Sequence, residues 1–253
     1  MKIDYDHHAN MHSTTGPGAV VEYLIASLEP KSVLDVGCGE GMWLYNFASR
    51  GVADVVGIDG VEVPQERLLF DSTKFRQMDL TQPFDLGRRF DLAVCLEVAE
   101  HLPVSAEAVL IESITRHADV ILFSAACPDQ PGQHHVNCRW PAHWQQHFNR
   151  AGFSCDGELR LRFWDDESIE PWYRQNLFLA KRVSSEPINE TPILSLIHPE
   201  ILRRGMKNVF IEEGRQIGVA HATDGHFPVS WYLTTPARAL LMKLRRGFSR
   251  KKM

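Results

Sequence analysis

The sequence predicts an α/β fold: a doubly wound, seven-stranded, mostly parallel sheet with helices on both faces, followed by a helical C-terminal extension. Three observations lead there. From Ser32 onward, short β-rich runs alternate with segments of helical periodicity, the pattern of βαβ units. The first run, Val33 to Val36, passes straight into the glycine-rich turn Gly37-Cys38-Gly39-Glu40-Gly41. The next two runs end at Asp59 and Asp79, so polar groups gather where an open sheet presents the carboxyl ends of its strands.

Taken in order, Gly16-Pro17 opens and Pro30 closes a helix over about 17–28, whose apolar residues recur at helical spacing. Strands are expected near 32–37, 54–59, 74–79, 90–96 and 119–125, with helices near 41–50, 64–70 and 104–117. Pro141, in the favoured first helical position, starts a helix ending near Ala151-Gly152. Two last strands, about 153–163 and 173–183, close the sheet with no long helix between them. Ser184 to Thr191 reads as a linker, which gives a domain over 1–183 and an extension over 184–253. The extension has an apolar cluster from Ile193 to Ile197 and a final helical pattern from Pro236 to about Phe248.

Composition narrows the function. A chain of 253 residues can bury a core without staples, and a formal net charge of -5 gives no general attraction to nucleic acid, so no nucleic-acid partner is expected. The cysteines Cys38, Cys95, Cys127, Cys138 and Cys155 are scattered, which argues against a disulfide framework or a zinc knuckle. Cys38 and Cys95 read as packing residues. Met1 to His12 is polar and His-rich rather than signal-like, with His7, His8 and His12 read as a solvated terminus, and a cytoplasmic location is expected.

The turn after the first strand is where backbone must approach a ligand closely, and the helix beyond it offers unpaired N–H groups to a carboxylate. A dinucleotide fingerprint would be Gly-x-Gly-x-x-Gly. Here the third glycine is Gly41 and position 42 is Met, so a nicotinamide oxidoreductase is the disfavoured rival. Asp35-Val36-Gly37-Cys38-Gly39 with Gly41 resembles motif I of the class I S-adenosylmethionine-dependent methyltransferases, which share a Rossmann-like fold. The resemblance implies that Gly37, Gly39 and Gly41 line the methionine portion of S-adenosylmethionine and that Asp35 fixes the loop and the cofactor ammonium. It implies further that Asp59 takes the ribose hydroxyls, that Asp79, with Leu80 beside it, meets the adenine, and that Glu97 borders the cofactor. His12-Ser13, Gly16-Pro17, Phe90-Asp91-Leu92, Glu97 to Pro103, Leu122 to Ala126 and Trp172 to Asn176 are similar to a bacterial subfamily often linked to surface-glycan assembly.

Glu97, Glu100 and His101 follow the fourth strand at spacings that bring their side chains together, and Gln133-His134-His135-Val136-Asn137 lies ahead of the Pro141 helix. Glu-x-x-Glu-His with a downstream histidine resembles the metal site of small-RNA 2'-O-methyltransferases and some ubiquinone-pathway O-methyltransferases. Glu97, Glu100, His101 and His135 would then hold Mg²⁺ or Mn²⁺ and acidify an acceptor hydroxyl. Alternatively His101 or His135 is a general base, or the cluster only caps a helix and shapes the pocket.

Trp140, Trp144, Phe163, Trp164, Trp172 and Tyr173, interleaved with arginines and aspartates, suit a sugar or phosphate-bearing acceptor, with core packing the other reading for Phe163 and Trp172. Arg238, Lys243, Arg245, Arg246, Arg250, Lys251 and Lys252 alternate with apolar residues and give a basic amphipathic helix able to rest on an anionic membrane or to dock on the domain. The reading is a methyltransferase acting on an oxygen of a small-molecule or glycan acceptor, with a non-catalytic methyltransferase-like binding module as the alternative.

Overall fold

The computed structural model describes residues 16–184, 188 and 190–205. Contacts divide the chain into two compact units, Met1–Leu202 and Arg203–Met253. The second lies outside the described residues beyond Gly205, as do the basic helix expected from Pro236 and the histidines of the N-terminus. Among the described residues no helix is long and apolar enough to cross a membrane.

The first unit is a seven-stranded sheet of β1 (Ser32–Val36), β2 (Asp54–Asp59), β3 (Phe75–Gln77), β4 (Leu92–Leu96), β5 (Val120–Ser124), β6 (Phe153–Asp156) and β7 (Phe178–Arg182). Its order is β3-β2-β1-β4-β5-β7-β6, with β7 antiparallel to both β5 and β6 and the remaining pairs parallel. Strand order reverses between β1 and β4, so the carboxyl ends of these two strands flank the crevice where such sheets bind ligands.

The helices are α1 (Gly16–Leu28), α2 (Met42–Ser49), α3 (Glu107–His117), α4 (Pro141–Arg150), α5 (Glu158–Phe163) and α6 (Pro171–Asn176). Alternate residues of β4 serve opposite faces, as a period of two requires. Ala93 and Cys95 join Leu110, Ile114, Phe123, Trp144 and Phe148 on the α3 and α4 side. Leu92 and Val94 join Val20, Leu24, Leu44, Phe47 and Tyr173 on the other. Because both faces are covered, the central strands are near-continuous apolar runs.

Three expected elements take another form. No α-helix forms over 64–70. The chain makes 3-10 turns at Gln65–Arg67 and Ser72–Lys74, and the Leu69 amide donates to the Glu40 carbonyl at 2.9 Å. That bond draws Phe70 against the glycine loop, where its ring fills the place a Cβ on Gly41 would take. The strand expected over 153–163 stops at Asp156, because Gly157 follows and the Asp156 carboxylate accepts from the Glu158 amide at 2.8 Å to open α5. The strand expected from 173 begins only at Phe178, because Pro171 occupies the first turn of α6.

The end of the segment read as a linker is anchored. Glu190 accepts from Asn149 Nδ2 at 2.7 Å, Ser154 Oγ at 2.6 Å and Gln145 Nε2 at 2.8 Å, and Ile193 is buried against the core.

Candidate active site

The glycine turn is shaped by backbone conformation. Gly37 and Gly41 have φ of +79° and +86°, where a side chain is strained. A Cβ on Gly37 would also collide with Val98 Cγ2, so the loops after β1 and β4 pack too closely for any other residue. Gly37 and Cys38 donate their amides to the Ile58 carbonyl at 2.8 and 3.0 Å, which ties the turn to β2.

Asp59, at the end of β2, is buried. It accepts the Gly39 amide on one oxygen at 2.8 Å and the Val61 amide on the other, also at 2.8 Å. It therefore braces the loop it was expected to serve. Asp35 lies beneath and is buried, with Oδ2 lacking a hydrogen-bond partner among the described residues. Burial, and then the charge of Asp59, hold its carboxyl well above the usual range. A cationic ligand group would relieve both effects.

Asp79 stands beyond the end of β3 and is exposed, while Leu80 is buried. Asp79 Oδ1 accepts from the Thr81 amide at 2.9 Å and its hydroxyl at 2.6 Å, bonds that lower its pKa.

On the other side of the crevice β4 ends in a strained turn. Glu97 has φ +54°, uncommon for a residue with a side chain, and the Ser124 carbonyl accepts its amide at 3.0 Å. Its carboxylate is held by Gln130 Nε2 at 2.9 Å and Asn176 Nδ2 at 3.3 Å, so it faces α6. Burial raises its pKa in spite of these donors.

Glu100, in the 3-10 turn Ala99–His101, is 0% exposed, and its carboxylate oxygens make no well-formed hydrogen bond among the described residues, having only looser approaches from its own amide, the Ala126 amide and the Glu97 carboxyl. Burial, reinforced by Glu97, pushes its carboxyl well above the usual range. One ligand atom each from Glu100, His101 and His135 lies within 4.8 Å of the others. Of the expected four-residue metal set, these three converge, while Glu97 is engaged by Gln130 and Asn176.

The two histidine rings lie 5.1 Å apart between centroids. Burial and the neighbouring His135 bring His101 down to about 4, and burial lowers His135 too, so both are neutral near pH 7. His135 Nδ1 lies 2.9 Å from the Gln130 carbonyl. Donation there fixes the tautomer whose Nε2 carries the lone pair.

The loop bearing His135 is pinned by the Val136 and Asn137 amides, which donate to the Glu100 carbonyl at 2.9 and 3.0 Å. Of the aromatics expected on the acceptor side, Trp144, Phe163 and Tyr173 are core residues, whereas Trp140, Trp164 and Trp172 keep partial exposure.

The sequence reading missed Gln130 and includes Gln175 and Asn176 only as part of a resemblance; the three form a buried amide network in which Asn176 Nδ2 donates to Gln130 Oε1 at 2.9 Å. Pro171 was the available signal, since it marks α6 as Pro141 marks α4. It also missed Glu107, whose Oε2 lies 3.1 Å from His143 Nε2 and 3.2 Å from His147 Nε2. There the signal was two histidines one turn apart on an expected helix.

A family model described as a methyltransferase domain matches residues 8–176, more than half of the chain. The chain is similar to the ubiquinone biosynthesis O-methyltransferase of Alkalilimnicola ehrlichii, 36% identical over 96 residues, which cover 35% of this chain and 38% of that protein. To the Acinetobacter baylyi protein of the same name it is 34% identical over 106 residues, covering 38% and 44%. The chain thus matches less than half the length of these curated relatives.

Among solved structures it resembles DesVI of Streptomyces venezuelae, with a TM-score of 0.53 at 16% identity over 67% of this chain and 92% of that one. It also resembles SAM-bound CalS10, an amino pentose methyltransferase from Micromonospora echinaspora, with a TM-score of 0.51 at 19% identity over 70% and 100%. At these identities the likeness is one of fold. Glycine turn, strand order and family match converge: the chain belongs to the methyltransferase domain family, within the class I S-adenosylmethionine-dependent methyltransferases.

Proposed function

We propose that this protein transfers the methyl group of S-adenosylmethionine to a hydroxyl oxygen of a small or glycan-linked acceptor. The observation that carries the reading is Glu100, a fully buried carboxyl with no well-formed hydrogen bond among the described residues, beside two imidazoles that burial keeps neutral. A buried carboxylate in that state calls for a cation or a proton, and carboxylate with imidazole suits a divalent ion. The residues present fit Mg²⁺ or Mn²⁺, held by Glu100, His101 and His135. When bound, such an ion lowers the pKa of an acceptor hydroxyl. The names of the ubiquinone relatives support an oxygen acceptor in the same direction.

S-adenosylmethionine, when bound, supplies a methyl on a positively charged sulfur, an electrophile that needs no further activation. Transfer of that methyl to a hydroxyl oxygen would leave S-adenosylhomocysteine and require the hydroxyl proton to be lost, to solvent if an ion held by Glu100, His101 and His135 acidifies it or to His135 Nε2 if it acts as base. The loop of Gly37, Gly39 and Gly41 admits the methionine portion, Asp35 meets its ammonium and Asp59 the ribose hydroxyls. Asp79 and Leu80 border the adenine. Holding donor and acceptor in line across the β1–β4 crevice supplies much of the acceleration.

The test is release of S-adenosylhomocysteine with a panel of catechol and sugar hydroxyl acceptors. EDTA should suppress turnover, and Mn²⁺ or Mg²⁺ should restore it. Undiminished turnover in excess chelator would instead assign proton removal to His135 Nε2. Turnover confined to amine acceptors would overturn the oxygen assignment.

A further inference from the structure

We propose that Glu107, His143 and His147 form a second cation site, suited to Zn²⁺ or a similar borderline transition metal, distinct from the Glu100 cluster. The ligand atoms of the three residues lie within 4.8 Å of one another. None of the three has a part in the methyl-transfer reading.

The helix supplies the pair. His143 and His147 stand one turn apart on one face of α4, where side chains four residues apart meet. Both aim Nε2 at the same atom, Glu107 Oε2, at 3.1 and 3.2 Å. With zinc–ligand bonds of about 2.0–2.1 Å, two ligands of a tetrahedral ion stand about 3.3–3.4 Å apart. The two histidine-to-carboxylate separations are within a few tenths of an ångström of that edge, and the remaining edge, between the two imidazoles, lies within 4.8 Å.

The carboxylate is also oriented. Glu107 is buried, and its other oxygen, Oε1, accepts from Asn137 Nδ2 at 2.9 Å, which turns Oε2 toward the histidines. Asn137 is itself buried and set by Arg139, whose Nε donates to Asn137 Oδ1 at 2.9 Å. Arg139 approaches Glu107 on Oε1, at 3.7 Å, and leaves Oε2 to the imidazoles. Outer partners of this kind hold ligands in the binding orientation at metal sites. The His143 side chain is 34% exposed, which gives an ion a way in and leaves room for water as a fourth ligand.

The site has a structural consequence. Asn137 connects Glu107 to the Glu100 carbonyl through its own amide, so an ion on Glu107 would fix the loop that carries His135.

The experiment titrates the full chain with Co²⁺, a spectroscopic stand-in for Zn²⁺, after the first cluster has been disabled by Glu100→Gln, His101→Ala and His135→Ala. One equivalent should bind with the intense visible absorption of a tetrahedral site and be displaced by Zn²⁺. Adding His147→Ala or the more exposed His143→Gln should weaken binding by at least the roughly 10–100-fold that loss of a supporting partner causes, and Asn137→Ala by about that amount. A Co²⁺ signal unchanged by either histidine substitution overturns the proposal, as does failure of the parent to bind Co²⁺ in a folded state verified by circular dichroism.

Discussion

The two sides of the crevice solve the problem of a buried carboxylate in opposite ways. After β2, Asp59 is satisfied by the backbone amides of Gly39 and Val61. After β4, Glu100 is buried too, but makes no well-formed hydrogen bond among the described residues and has only loose approaches from the Ala126 amide, its own amide and Glu97. The first arrangement is complete as it stands and gives a rigid cradle. The second is energetically incomplete, since burial and the neighbouring Glu97 hold its carboxyl well above the usual range and leave it to be matched by a proton or a cation. On the proposed reading, rigidity belongs to the cofactor side and reactivity to the acceptor side.

Glu100→Gln should break the comparison at its strongest point. It keeps the shape but removes the anionic ligand that an ion needs, so turnover should fall by about 10²-fold or more, matching the several kcal/mol that a bound ion supplies. Calorimetric affinity for S-adenosylhomocysteine should be unchanged, and a parallel loss of affinity would move Glu100 to the cofactor side.

Asp59→Ala should do the reverse. It strips a charge-assisted acceptor from the ribose and a brace from the loop, which should weaken S-adenosylhomocysteine by about 1.5–3 kcal/mol, roughly 10–150-fold. Unaltered affinity would remove Asp59 from the site.

Glu190→Gln sharpens the contrast with a carboxylate whose work is structural. Burial alone would raise the Glu190 pKa, but hydrogen bonds from Ser154, Asn149, Gln145 and the Cys155 amide outweigh it and the net shift is downward. A carboxylate with a depressed folded pKa stabilises above its unfolded value, about 4.5, and loses that contribution as pH falls through the folded value. Melting curves should show the variant less stable by about 1 kcal/mol at neutral pH, with the gap closing in acid. A gap independent of pH would mean that shape rather than charge matters at this position.

The cofactor side was legible because its instructions are local. A glycine turn announces left-handed backbone within a few residues, and a strand ending in aspartate announces its own position. The acceptor side was legible as residue types and not as partners. Glu97 reads as a fourth metal ligand from its spacing to Glu100 and His101, yet Gln130 and Asn176, remote in sequence, hold its carboxylate. Nothing periodic links those three positions. The last strands misled for a related reason: the apolar residues of α5 and α6 fit a strand pattern over so short a span, and only Gly157 and Pro171 mark the breaks. Trp144 reads as one of the aromatics suited to an acceptor, but its helix turns it onto Phe123, with ring centroids 5.5 Å apart.

The strand order also carries a message about synthesis. β7 is made after β6 yet lies between β5 and β6, and among the described residues β6 pairs with no other strand. Until Arg182 has left the ribosome, β5 presents an open edge and β6 has nothing to join. At about 5–20 residues per second that interval lasts seconds, and an unpaired apolar edge is the feature through which nascent chains associate wrongly. A messenger truncated just before the codon for Phe178 would encode the entire cofactor side together with an exposed edge, and its product should be captured by chaperones or aggregate where the full chain folds.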